Sequence, residues 1–362
     1  MTSLLADDPL PSDLDSIMLR VDGLWQRLRD ENLFITGGTG FFGRWLLESL
    51  VHANQQFKLN LKITVLTRDE KAFKARAPQL AADAAITFHR GDVTNFDFPE
   101  GRFSLLIHAA TTSADETFHG EDPLRKFDTL VNGTRHTLEF AAASGIRRIL
   151  LISSGVAYGP PPPGATSINE DYNGAPDPSD TNSALGQAKR AAEFLCAYFA
   201  QKHQMSYSVA RCFSFVGPFL PLNIHYAIGN FIDQALNSEA IVVKGDGTPL
   251  RSYLYMADLV TWLLKALLDG QNARVYNVGS DQAITIRELA HLVRDVVSPG
   301  KPVEVLGEPS FSVGNVVRNV YVPDIDRATN ELGVDVWTAL PEAIKRTAEH
   351  ASISMGRKGR EM

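Results

Sequence analysis

Several absences narrow the reading before any motif is considered. No apolar run approaches the roughly 18 residues that a membrane-spanning helix needs, so no membrane partner is expected. Cysteine is nearly missing. Cys196 and Cys212 are the only two, too few for a disulfide framework, and both fall in stretches that read as buried helix and strand. No group of histidine, cysteine and carboxylate has metal-site spacing, so no metal is expected. Positive charge is not in excess either: 35 Lys and Arg stand against 42 Asp and Glu, a formal charge of −7. That balance argues against a nucleic-acid binder, whose phosphate contacts need a concentrated basic surface. Internal repeats are missing, and the sole low-complexity stretch is Pro160 to Pro163. The N-terminus MTSLLADDPLPSDLD is acidic where a secretory signal would be basic and then apolar, so a cytoplasmic protein is expected.

What is present suits an α/β protein. A chain of 362 residues, 44% apolar and 21% charged, can bury a large core in a cofactor domain carrying a smaller substrate lobe. Apolar Leu14, Ile17, Met18, Val21, Leu24, Trp25 and Leu28 recur at helical spacing over 12–30 and predict a docked amphipathic helix within an N-terminal extension, residues 1–31. From Leu33 onward short apolar runs (LFITG, ITVLT, SLLIHAA, RILLISS) alternate with helical stretches 43–53, 124–144 and 184–203. This rhythm predicts a doubly wound parallel sheet of Rossmann type over 32–215. After residue 215 the strands shorten and the loops fill with glycine and proline. Residues 216–350 read as mainly a C-terminal α/β substrate lobe, with helices 225–237, 256–269 and 285–297 and with 251–277 returning to the first domain. Residues 351–362 read as a tail.

The strand Leu33 to Ile35 runs into Gly37, Gly40, Phe41, Phe42 and Gly43, after which a helix begins. Glycines at this spacing allow a tight turn, close backbone approach to a pyrophosphate and close packing of helix on strand, while the helix N-terminus offers N–H donors. Set between strand and helix, the motif points to a dinucleotide, and a nicotinamide dinucleotide is expected. A carboxylate at the end of the second strand would favour NAD by accepting from a ribose hydroxyl. Here that end is Thr67-Arg68, which favours NADP because Arg68 can pair with a 2′-phosphate, while Asp69 keeps NAD open. Further on, Asp92, with Val93 beside it, is placed to meet the adenine amino group.

The ordered set Gly37-x-x-Gly40-x-x-Gly43, His108-Ala109-Ala110, Ser153-Ser154-x-x-x-Tyr158-Gly159, Lys189, Gly217-Pro218 and Arg251 resembles the extended short-chain dehydrogenase/reductase family. More narrowly it is similar to nucleotide-sugar epimerases and dehydratases, over roughly residues 32 to 345. The resemblance implies a cofactor on the Rossmann half, touching Ala109, Ala110 and Thr111, and a nucleoside-diphosphate sugar under the C-terminal lobe. It makes Ser154 and Lys189 members of the catalytic set, with Lys189 also holding the nicotinamide ribose. Thr112 and Ser113 are expected to bind sugar hydroxyls, Arg251 to clamp the diphosphate through its planar donors, and Arg318 and Asn230 to be further nucleotide contacts. His108 reads as a packed, hydrogen-bonded residue rather than an acid or base. A homodimer through helices 124–144 and 184–203, burying Phe194 and Leu195, is also implied.

Three departures qualify that resemblance. The family tyrosine stands four residues before the lysine, and here Leu185 fills the position, with no proton to move. Tyr158 and Tyr172 are the replacements considered. Where the 4,6-dehydratases have Asp-Glu after the catalytic Ser/Thr, and the decarboxylases a Glu, this chain has Gly155 and Val156. Epimerisation of 4-epimerase type or keto-sugar oxidoreduction is therefore expected rather than water elimination. Ser214 stands where the family has a substrate-lining Asn and offers fewer hydrogen bonds. The competing expectation is a nucleotide-binding sensor or partner subunit that has lost the chemistry together with the tyrosine.

Overall fold

The computed structural model describes residues 8–112, 120–224, 226–307 and 320–358. Strands β1 (Asn32–Thr36), β2 (Lys62–Thr67), β3 (Ile86–Arg90), β4 (Leu105–His108), β5 (Arg148–Ser154), β6 (Ser206–Cys212) and β11 (Arg274–Val278) form one sheet in the order β11-β6-β5-β4-β1-β2-β3. Every neighbouring pair is parallel. Their apolar runs are continuous because both faces are covered, and successive side chains go to opposite layers. Leu33 and Ile35 join the core with Trp45, Leu46 and Leu263, whereas Phe34 between them joins Leu106, Phe140 and Phe199.

One layer is built by α2 (Phe41–Phe57), α1 (Leu10–Arg20) and α8 (Met256–Leu268), the other by α5 (Pro123–Ser144) and α6 (Ala184–His203). Helix α8 is mostly apolar and is buried at every position but Lys265, which marks it as an interior helix. β11 belongs to the large sheet and α8 packs on it, although both follow the start of the smaller lobe, whereas Arg251 and Leu254–Tyr255 pair within that lobe. The helix expected over 12–30 is shorter. It ends at Arg20, Gly23 takes φ +80°, and Trp25–Leu28 forms a separate 3-10 turn. Both pieces turn their apolar side chains to the same core, so the helical spacing ran on across the break.

The α1 helix is clasped by polar groups as well. Arg20 pairs with Asp258 at 2.6 Å, and Asp13 accepts from the Tyr255 hydroxyl and from Arg346, each at 2.5 Å. Burial raises the Asp13 carboxyl to about 6 despite these partners.

The smaller lobe is made of short pieces. β7 (Phe215–Val216) pairs with β10 (Leu254–Tyr255), and β8 (Ile241–Val243) with β13 (Val303–Val305). β9 (Leu250–Arg251) lies between antiparallel β12 (Ile284–Thr285) and parallel β14 (Val320–Tyr321). Around them pack α7 (Ala227–Asn237), α9 (Ile286–Val297) and α11 (Leu340–Lys358). α9 starts from a reciprocal Thr285–Glu288 capping box. α10 (Asp326–Leu332) lies on β11, and α3 (Glu70–Arg76) and α4 (Pro78–Ala81) follow β2. No helix among the described residues is long and apolar enough to cross a membrane. On the outer face of α5 and α6, Leu124, Phe194 and Tyr198 are exposed, but Leu195 is buried in the chain's own core beside Phe140. Leu195 is thus not the interface residue the sequence suggested, because it faces the sheet.

Candidate active site

A cleft of about 790 Å³ runs over the C-terminal ends of the sheet strands, within the ordinary size range of ligand sites. Its floor at one end is the turn after β1. Gly37 has φ +73°, and a Cβ there would lie 2.5 Å from the Ala109 carbonyl oxygen. A Cβ on Gly43 would lie 2.3 Å from the Gly37 oxygen, so glycine lets α2 sit directly on the turn. Gly40, the residue before α2, would meet nothing nearer than 3.4 Å and lines the cleft with Phe41 and Phe42. A side chain at 40 would project toward the space in front of the α2 N–H groups, where a pyrophosphate fits. The glycine cradle therefore suits the dinucleotide the sequence implies.

Farther along that end lie Thr67, Arg68, Asp69 and Arg76. The Asp69 carboxylate is engaged as the cap of α3, accepting from Ala72 N–H at 2.9 Å. Arg76 reaches back to donate to the Thr39 carbonyl at 3.4 Å. Sequence reasoning missed Arg76. The signal was its spacing from Arg68, eight residues across a strand-to-helix turn. Asp92 and Val93 line the cleft too. Burial alone would raise the Asp92 carboxyl, but hydrogen bonds from the Thr94 hydroxyl and N–H hold it below the usual carboxylate value.

The middle wall is the end of β4. Ala109, Ala110, Thr111 and Thr112 line the cleft, while His108 is buried beneath them. Its ring nitrogens meet Thr36 Oγ1 at 2.7 Å and Thr134 Oγ1 at 3.0 Å. Burial, with Lys189 adding to it, lowers its pKa to about 3, so the imidazole is neutral and serves packing. Ser113 and Arg318 lie outside the described residues. Opposite stand Glu121 and Lys126, which sequence reasoning also missed. They form an ion pair at 3.4 Å, and Glu121 Oε2, buried, has no hydrogen bond among the described residues.

At the far end Ser154, Leu185 and Lys189 come together in the same cleft. Ser154 closes β5, and its Oγ accepts from the Val156 N–H. Lys189, on the second turn of α6, is buried and donates to the Ile152 carbonyl at 2.8 Å. Burial lowers its pKa to about 8. Leu185, one turn before it, puts an aliphatic side chain where the family phenol would stand. Neither expected replacement is in place. The Tyr158 hydroxyl is buried against Asn277 at 2.8 Å and pushed up to about 12 by burial, while Tyr172 donates to the Pro160 carbonyl at 2.8 Å. A different tyrosine is close: the Tyr321 hydroxyl lies 3.4 Å from Ser154 Oγ.

Three substrate-site expectations are placed away from the residues lining the cleft. Ser214 gives its carbonyl to Leu254 N–H as β7 and β10 come together. Asn230 is inside α7, whose N-terminal cap is Tyr226, so it is not a helix cap. Arg251 sits on β9, donates to the neighbouring Leu250 carbonyl at 2.7 Å, and is the register partner of Tyr321. Among the described residues no group of three His, Cys, Asp or Glu could hold a metal.

This layout, a glycine turn under one end of the cleft and a serine and lysine at the other, is that of a nicotinamide-dependent sugar-modifying Rossmann protein. Residues 33–279 match the description of the NAD dependent epimerase/dehydratase family, and the chain belongs to that family. It is similar to UDP-glucuronic acid decarboxylase 6 of Arabidopsis thaliana, 28% identical over 326 residues that cover 90% of each chain. It is also similar to UDP-glucuronic acid decarboxylase 1 of Danio rerio, 27% identical over 89% of this chain and 73% of that one. Among solved structures, a UDP-N-acetylglucosamine 4-epimerase from Methanobrevibacter ruminantium superposes with a TM-score of 0.74 at 21% identity, over 90% of this chain and 100% of the other. UDP-glucuronic acid 4-epimerase from Bacillus cereus, in complex with NAD, gives 0.73 at 19%, over 89% and 99%. At these identities the likeness to solved structures is one of fold.

Proposed function

We propose that the protein modifies a nucleoside-diphosphate sugar through a bound nicotinamide, by 4-epimerisation or by keto-sugar oxidoreduction. The observation that carries this reading is the convergence of Ser154 and Lys189 in one cleft with the glycine turn. When bound, the nicotinamide would accept or return a hydride at a sugar carbon. The chain's own residues do the rest. The Gly37–Gly43 turn and the α2 N-terminus take the pyrophosphate, Lys189 holds the ribose, and Asp92 takes the adenine. Ser154 and Thr112 hold the sugar. Residues 32–215 supply the cofactor half and 216–350, apart from α8 and β11, the sugar half.

NADP is the preferred cofactor in this reading. Arg68 and Arg76 flank the position of a 2′-phosphate, and Asp69 already accepts from α3. The exposed Leu124, Phe194 and Tyr198 are the contact face of a homodimer. The sequence relatives named above are decarboxylases, but Gly155 has no carboxylate for that chemistry, so the decarboxylase activity is not carried over.

A second reading, a nucleotide sensor without turnover, is favoured by one observation, the apolar Leu185 in the cleft. The two are separated by incubating the protein with NADP or NAD and a panel of UDP-sugars, UDP-glucose, UDP-glucuronic acid and UDP-N-acetylglucosamine among them, and separating the products. Conversion of one sugar nucleotide is expected. Binding of both ligands with no sugar altered would leave the sensor.

A further inference from the structure

Two departures from the family pattern leave the site without its expected proton-carrying groups. Leu185 removes the phenol from the first turn of α6, and Gly155 removes the carboxylate from the residue after Ser154. The Tyr321 hydroxyl stands beside both Ser154 Oγ and the Cys212 carbonyl oxygen, 3.4 Å from each. A Cβ at position 155 would lie 2.8 Å from the Phe213 ring and 2.9 Å from that hydroxyl, so any side chain there, a carboxylate included, would press on both the phenol and the ring that holds it. Glycine at 155 and tyrosine at 321 are therefore parts of one arrangement.

We propose that Tyr321 supplies the proton-transferring phenol of this enzyme in place of residue 185, acting with Ser154 on one sugar oxygen; the assignment rests on the nucleotide-sugar reading above. Two hydroxyls 3.4 Å apart can each lie at about 2.7 Å from a common third oxygen. The ring is held by Phe213, centroids 4.7 Å apart, and its strand is fixed by pairing with β9, where Arg251 is its register partner. Tyr321 stands behind the lining, against Ser154, Cys212 and Phe213, which do line the cleft. In the oxidising direction the carbinol carbon loses hydride to the nicotinamide, the oxygen becomes a carbonyl, and its proton passes to Tyr321, present as phenolate. In the reducing direction Tyr321 returns that proton to the carbonyl oxygen.

The test uses full-length protein loaded with NADP, mixed with UDP-glucose or UDP-glucuronic acid, and followed by nicotinamide absorbance in the first turnover. Tyr321→Phe, which keeps the ring against Phe213, should slow that step by about 10²–10⁴-fold, the usual contribution of a positioned acid–base group. It should also abolish the rise of rate with pH and change UDP-sugar affinity by less than about 10-fold. A readout without turnover accompanies it: the ultraviolet difference titration of wild type minus variant should show one phenol ionising below the ordinary value of about 10. Gly155→Ala should reproduce the rate loss by displacing the hydroxyl. Wild-type rate and pH profile in Tyr321→Phe, or the same loss appearing in Tyr226→Phe instead, would overturn the assignment. Failure of wild type to bind either UDP-sugar would sink the nucleotide-sugar reading, and the phenol titration would still report on Tyr321 by itself.

Discussion

The two ends of the cleft are built from different materials. At the glycine-turn end the contacts belong to the backbone of one β1–turn–α2 unit, where glycine is required by close approach: 2.5 Å at Gly37 and 2.3 Å at Gly43 for any added Cβ. At the serine–lysine end they belong to side chains on β5, α6 and β14, gathered from positions as far apart as 154 and 321. A site made of backbone at such close approach has no second way to be made. A site made of side chains can lose a group from one element and regain it from another that approaches the same space. Leu185, Gly155 and Tyr321 are read here as such an exchange.

The strongest way to break this comparison is to reverse the exchange. Leu185→Tyr in the Tyr321→Phe background places a phenol four residues before Lys189 and in the same cleft, and should recover most of the lost 10²–10⁴-fold in first-turnover hydride transfer. The same change in wild type should add little. No recovery in the double variant would mean that the two positions do not serve one oxygen. At the other end, Gly43→Ala should be the most damaging single methyl. It should cost about 3 kcal/mol of stability in chemical denaturation, at the upper end for overpacking, and abolish cofactor binding. Retention of both would show that α2 can move off the turn.

How far the site was legible follows the same division. The glycine turn, Ser154 and Lys189 could be read because each lies within a few residues of its own structural context. The helix predicted at 184–203 is α6 itself, Ala184–His203. Tyr321 could not be read. It sits on a two-residue strand with no periodicity of its own, and its meaning comes from a partner 167 residues earlier. Glu121 and Arg76 were hidden for the same reason, since an exposed-looking charge shows its place only when the cleft closes around it. Tyr158 misled because its distance along the chain from Ser154 is short, whereas β5 and the turn after it send its hydroxyl down to Asn277. In the N-terminal segment the period survived a break at Gly23 because both pieces cover one core.

Two smaller effects sharpen the contrast. Arg68→Ala should weaken NADP(H) by about 1.5–3 kcal/mol, the range for hydrogen bonds to a charged group, and leave NAD(H) nearly unchanged in calorimetry. Equal losses for both cofactors would remove Arg68 from the 2′-phosphate. Away from the cleft, the clasp on α1 supplies a control. Burial raises Asp13 to about 6 in the folded chain, above the ordinary value of about 4, so the folded state binds its proton more tightly. That contribution is full below about pH 4 and is lost as the pH rises through about 6. Denaturation midpoints of wild type against Asp13→Asn should therefore diverge across this window, by an amount on the order of 1 kcal/mol. The cofactor affinity of the two should agree. Parallel midpoints would place Asp13 at an unshifted value.

The central claim is that the protein carries out hydride chemistry on a nucleotide sugar although residue 185 is leucine. It is tested most directly by stopped-flow absorbance of wild-type protein loaded with nicotinamide cofactor and mixed with each UDP-sugar to which calorimetry shows binding. A first-turnover change in the nicotinamide band with at least one of them is the expected result. Tight binding of both ligands with the nicotinamide unchanged for every sugar would contradict the claim.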